Sequence, residues 1–142
     1  MQLYHKITGE GFPVIILHGL LGSSGNWQTV AKALATPTIT KSAYCVYTID
    51  LRNHGKSPHT AEFSYELLCA DLFEFFEQHG IVQAHVIGHS MGGKVAMKFA
   101  LEYPGKVSQL VVVDIAPGAY EDHHIDVFKA LYAALPGHKN TR

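Results

Sequence analysis

Only two cysteines, Cys45 and Cys69, occur in the 142-residue chain, and neither stands at a spacing used for metal ligation. Both lie inside apolar patterns, so they read as buried thiols in a reducing compartment and exclude a disulfide-stapled scaffold. Positive charge is in no surplus: 11 Lys and Arg against 12 Asp and Glu give a formal net charge of −1. Without a basic excess there is little to hold a phosphate backbone, which argues against nucleic acid as a partner. Apolar runs such as residues 14–17 and 110–113 fall far short of the roughly 20 residues of a membrane helix, so no membrane partner is expected. Met1-Gln2-Leu3-Tyr4-His5-Lys6 lacks the basic-then-apolar build of a secretory signal. Repeats and low-complexity stretches are missing too. These absences leave a soluble domain, expected in the cytoplasm, long enough for one hydrophobic core.

What the chain does contain is an alternation of short apolar runs and amphipathic stretches. Phe12-Pro13-Val14-Ile15-Ile16-Leu17 reads as a strand buried on both faces, followed by the glycine-rich His18-Gly19-Leu20-Leu21-Gly22-Ser23-Ser24-Gly25. Asn26 then fits a helix N-cap, with Trp27, Val30, Ala31 and Leu34 at helical spacing. Trp27 is expected in the core rather than in a substrate wall. A second strand, Tyr44-Cys45-Val46-Tyr47-Thr48-Ile49, ends in the polar run from Asp50 to Pro58, where Asp50 and Arg52 read as structural loop residues. Ser64 caps a helix on which Tyr65, Leu68, Leu72, Phe75 and Phe76 form one stripe, while Glu66, Asp71, Glu74 and Gln78 are expected to face water. Ala84-His85-Val86-Ile87 is a third buried strand. The helical stretch 93–102, the breaker Pro104-Gly105 and a strand over 107–113 ending at Asp114 complete the series. Such alternation predicts an α/β fold, a doubly wound and mostly parallel sheet with its site at the carboxyl ends of the strands. Residues 1–117 form this core; 118–142 change character and read as the start of a cap or lid, with a helix over 120–135.

Between the third strand and its helix stands Gly88-His89-Ser90-Met91-Gly92. Strand, tight turn with serine at its tip, then helix is the context that makes G-x-S-x-G a nucleophile elbow. Gly88 and Gly92 are expected to permit a strained turn that a Cβ would block. Ser90 is the candidate nucleophile, and the N–H of Met91, which follows it, is placed for a developing oxyanion.

Taken together, these segments resemble the α/β-hydrolases over nearly the whole chain. His18-Gly19-Leu20 is similar to their oxyanion loop, Gly88 to Gly92 to their elbow, and Asp50-Leu51-Arg52-Asn53-His54-Gly55-Lys56-Ser57 to the N-H-G form found in YbfF-like esterases. Val112-Val113-Asp114-Ile115-Ala116-Pro117 resembles the strand end of that subgroup. The resemblance implies a second oxyanion donor in the N–H of Leu20 and the orienting acid in Asp114. It implies cleavage of small carboxylic esters or thioesters through an acyl-enzyme on Ser90, without a cofactor. A serine nucleophile argues against epoxide hydrolase or dehalogenase chemistry, which use aspartate at this place.

The base is the missing piece. In this fold it is a histidine after the acid, and only His123, His124 and His138 follow Asp114. His123 and His124 read as solvated residues, unsuited to zinc because adjacent side chains diverge; His138 lies in a polar tail. The remaining histidines read as structural, with His18 bracing its loop, His89 packed in the elbow, His54 in a polar turn and His85 on a strand. The expectation is the N-terminal part of a longer hydrolase, cut in the cap region and nearly inert by itself, with part of its sheet edge unpaired. A C–C hydrolase or perhydrolase on the same residues, or a non-catalytic module binding a ligand through the same cleft, are the alternatives.

Overall fold

A computed structural model describes residues 1–118. Five strands, β1 (His5–Thr8), β2 (Phe12–Leu17), β3 (Tyr44–Ile49), β4 (Ala84–His89) and β5 (Val107–Val113), form one sheet in the order β1-β3-β2-β4-β5. The four strands β2 to β5 run parallel, with Val14 opposite both Val46 and His85 and with Gly88 opposite Val112. β1 runs antiparallel on the edge, His5 opposite Ile49. Helices α1 (Gln28–Leu34), α2 (Pro37–Thr40), α3 (Tyr65–Gln78) and α4 (Met91–Glu102) fill the crossovers.

Alternation along the strands divides the core into two layers. Ile15, Leu17, Ile49 and Val86 turn to one side and pack with Leu68, Leu72, Phe75 and Phe76 of α3 and Val95 and Phe99 of α4. Val14, Ile16 and Val46 turn to the other, under Ala31 of α1 with Trp27 and Leu34 alongside. Burying each large side chain contributes about 1.5–3 kcal/mol. The doubly wound arrangement follows directly from strands that are apolar on both faces.

Local chemistry sets the helix ends. The Ser64 hydroxyl accepts the N–H of Leu67 at 3.2 Å, and α3 runs out into Gly80 at φ 61°, a conformation glycine takes without steric cost. The entry to α1 corrects the N-cap expected at Asn26. Ser23 caps a 3₁₀ turn over Ser24–Trp27, and Asn26 is its reciprocal partner, accepting the Ser23 N–H at 2.7 Å. Asn26 therefore stands three residues inside the boundary, in a capping box.

Asp71 is also corrected. Instead of facing water it is buried, gripped by Arg52 through Nε at 2.7 Å and Nη2 at 2.9 Å. Helical spacing could not reveal this, because the partner arrives from the loop after β3. Arg52 has the structural role expected, and its two-pronged bond to Asp71 raises its pKa above the ordinary value. Cys69 is buried beside Glu102, and burial, with that carboxylate, pushes its thiol up to about 12.

β5 departs from the buried pattern. Leu110, Val111 and Val113 are exposed, because among the described residues the strand is paired only on its β4 side. The cap expected over 118–142 lies outside the described residues except for Gly118, as do Tyr120, His123, His124 and His138. No helix among the described residues is long and apolar enough to cross a membrane.

Candidate active site

Ser90 stands alone between the last residue of β4 and the first of α4, at φ 50° and ψ −116°. The strain expected of the flanking glycines is carried by the serine itself. Gly88 and Gly92 are needed for close approach: a Cβ on Gly88 would lie 2.3 Å from the Gly92 carbonyl oxygen, and one on Gly92 2.5 Å from the carbonyls of Leu17 and His18. The elbow is thus closed on itself at Gly88 and pressed onto the end of β2 at Gly92, and the tip takes the unfavourable backbone. The Ser90 N–H donates to the Val113 carbonyl at 3.0 Å, fixing the tip to the end of β5. Met91 opens α4, so its N–H is among those with no carbonyl one turn earlier in the helix.

The loop after β2 lies against this tip. A Cβ at Gly19 would come within 2.8 Å of His89 Nδ1 and 3.2 Å of Ser90 Cβ. Gly22 N–H to Gly19 carbonyl, 3.0 Å, closes a tight turn with Leu20 and Leu21 at its centre. Leu21 occupies the left-handed region at φ 60°, where glycine is the usual choice.

Two buried polar side chains hold that loop to the end of β3. His18 donates from Nδ1 to the Gly19 carbonyl at 2.8 Å, and its Nε2 accepts the Leu51 N–H at 3.0 Å. An acceptor at Nε2 requires the neutral ring, and burial lowers the pKa accordingly, with His54 adding to the effect against the Gly19 carbonyl and Asp50. Asp50 accepts the Ser24 N–H at 2.5 Å and the Lys56 N–H at 2.8 Å. Burial pushes its pKa up, but these bonds and His18 outweigh it and hold the carboxyl below its ordinary range. Both residues have the bracing and structural parts expected of them.

Asp114 follows β5 at φ 57°, with its side chain exposed and Oδ2 3.7 Å from His89 Nε2. Leu20, Ser90, Met91 and Asp114 therefore all stand at the carboxyl edge of the sheet. Among the described residues no histidine follows Asp114. His85 packs against Phe12 with the rings tilted and centroids 4.7 Å apart, toward the amino ends of the strands. No group of three or more His, Cys, Asp or Glu among the described residues is arranged to hold a metal.

A cavity of about 510 Å³ opens beside the elbow, walled by Leu20, Leu21, Trp27, Val30 and His89. Trp27, expected in the core, does both jobs: it packs on the α1-side layer and lines this cavity. Leu21 was read only as part of the glycine-rich loop, and Val30 only as a member of the helix's apolar stripe. The available signal was two adjacent leucines in a loop otherwise made of glycine and serine.

A mostly parallel sheet wound on both faces, with a strained serine between strand and helix, is the arrangement of the α/β-hydrolase class. Residues 13–139 match the family described as alpha/beta hydrolase fold, and the chain belongs to it. It is 47% identical over 115 residues to the sn-1-specific diacylglycerol lipase ABHD11 of Danio rerio, covering 81% of this chain and 35% of that protein. It is 40% identical over 116 residues to ethanol acetyltransferase 1 of Wickerhamomyces anomalus, covering 82% of this chain and 28% of that one. Among solved structures, a marine microorganism esterase superposes with a TM-score of 0.85 at 43% identity, over 97% of this chain and 52% of the esterase. The chain thus spans about a third of these curated relatives and about half of the esterase.

Proposed function

We propose that this chain supplies the nucleophile half of a serine hydrolase acting on carboxylic esters or thioesters. The strained Ser90 at the carboxyl edge, pressed against the Gly19-Leu20 turn, is the observation that carries the reading. Ser90 Oγ attacks the ester carbonyl carbon and gives its proton to a base. The N–H groups of Met91 and Leu20 stabilise the tetrahedral oxyanion, and its collapse expels the protonated alcohol or thiol, leaving an acyl-Ser90 ester. Water attacks this ester in the second step, releasing the acid and restoring the hydroxyl. Asp114 orients the base, a histidine not among the described residues. No cofactor takes part, and a chain without that base is nearly inert.

A second outcome of the same intermediate is favoured by the likeness to an ethanol acetyltransferase. If an alcohol replaces water, the acyl group leaves Ser90 as a new ester, with no change in the groups required. Product analysis in the presence of ethanol separates the two, ethyl ester marking transfer and free acid marking hydrolysis.

The test of the nucleophile is covalent. The native protein bearing this sequence, treated with a fluorophosphonate, is expected to carry the adduct on the Ser90 peptide, and Ser90→Ala to carry none. Turnover of a 4-nitrophenyl ester should fall by about 10⁶ in the same variant, the scale seen when a serine nucleophile is removed. An adduct elsewhere, or none where a reference esterase is fully labelled, would reject the assignment.

A further inference from the structure

We infer that His89, the residue before the nucleophile, is a positioning residue that aims the Asp114 carboxylate at the base. This role rests on the serine hydrolase reading of Ser90 and Asp114, and adds to it the group that fixes the direction of the acid.

The backbone around Asp114 is pinned on both sides. The Val113 carbonyl accepts the Ser90 N–H at 3.0 Å, so the peptide entering Asp114 is tied to the tip of the elbow. Beyond it Ile115 lies against the first turn of α4, where a Cβ on Gly93 would come within 2.5 Å of Ile115 Cγ2. Lys94 Nζ donates to the Gly118 carbonyl and holds the far end of the turn. What these contacts leave unset is the side chain. That of Asp114 is 84% exposed, so packing does not choose its rotamer.

His89 supplies the missing direction. It ends β4 opposite Val113 in the register of the sheet, and its Nε2 stands 3.7 Å from Asp114 Oδ2. The ring is itself held in place. Trp27 lies beside it with centroids 6.1 Å apart, and Gly19 crosses the other nitrogen, where an added Cβ would come within 2.8 Å of Nδ1. Nε2 is thus the nitrogen turned to the carboxylate. A pair this exposed adds little to stability, so its effect lies in orientation. At 3.7 Å it is longer than a hydrogen bond, and contacts among catalytic groups are commonly long at rest and shorten in the substrate complex. With Oδ2 drawn to His89, Oδ1 is left for the N–H of the base, since an ionised carboxyl accepts at both oxygens. Catalysis is sensitive to such aim: a misplacement of about 1 Å can cost on the order of 10²-fold in rate.

Substitutions at position 89, made in the native protein bearing this sequence and assayed on 4-nitrophenyl acetate, separate aim from packing. His89→Phe keeps a ring against Trp27 and removes the donor; kcat should fall about tenfold with KM little changed. His89→Asn, whose amide stops at the place of Nδ1, serves in its stead if a thermal melt shows that Phe disturbs the fold. His89→Gln sets an amide N–H near the place of Nε2 and should recover most of the rate. Asp114→Asn should lose about 10⁴-fold, and adding His89→Phe to it should cost nothing further, because the group that His89 aims is gone. Packing alone would give the reverse order, Phe tolerated and Gln not, or losses that multiply in the double variant. Either result, or the parent rate in His89→Phe, would overturn the role of His89 and leave Ser90 and Asp114 in place. The parent rate in Asp114→Asn, or no fluorophosphonate adduct on Ser90, would instead remove the reading beneath it, and the role of His89 with it.

Discussion

Arg52 and Asp71 show how much one pair of residues can carry. Their side chains are 9% and 4% exposed, and two parallel hydrogen bonds join them. Removing one member leaves the other charge buried without its partner, a loss of about 3–5 kcal/mol. Against a total stability of about 5–15 kcal/mol, that is about a fifth of the molecule's reserve or more. Arg52→Met is therefore expected to lower the urea midpoint sharply. Arg52→Met combined with Asp71→Leu should recover most of the loss, because no stranded charge remains. The pair also marks where the sequence was opaque. Asp71 lies three residues after Leu68 and one before Leu72, on the border of the apolar stripe, and periodicity has no means of announcing a guanidinium from another loop. The nucleophile was legible for the opposite reason: Gly88, Ser90 and Gly92 fall within five consecutive residues, and the strand and helix around them are read from the same short window.

At the scale of elements, the turn after β2 is held by a histidine that must stay neutral. His18 offers Nε2 as an acceptor to the Leu51 N–H, and burial lowers its pKa from the ordinary 6.5. The folded protein thus binds fewer protons than the unfolded chain in the interval below pH 6.5. The stability this contributes is present above that value and is lost as the pH falls through the lowered pKa. His79, lowered by burial and by the neighbouring His5, acts in the same direction, though its exposure reduces the effect. Stability against urea is expected to fall between pH 7 and pH 5, with His18 contributing up to about 1.4 kcal/mol per pH unit. In His18→Asn the fall should be shallower from a lower starting stability; an unchanged slope would show that the clamp does not titrate. The sequence marked His18 as a brace, but not Leu51 as what it braces against. A contact across 33 residues has no local signature.

For the molecule as a whole, the alternation of strand and helix and the two-faced winding were legible, because runs such as Val14-Ile15-Ile16-Leu17 leave no polar face to expose. The cavity was not. It is assembled from the turn after β2, the first turns of α1 and the end of β4, and only the fold makes them neighbours. At β5 an apolar composition meets exposure: among the described residues its outer side carries no neighbour, and Leu110, Val111 and Val113 are exposed.

Leu21, Ser90 and Asp114, at φ 60°, 50° and 57°, have a consequence for how this molecule would evolve. Each position favours glycine by about 1–3 kcal/mol, and all three cluster at one rim of the sheet. A library of variants sorted by heat resistance alone should drift to glycine at these sites, as at Lys41 and Asn53, which share the left-handed backbone at φ 57° and 64°. Sorted for ester turnover as well, it should hold Ser90 and Asp114 against that drift, and the difference between the two sequence populations would map the residues that function retains in opposition to stability.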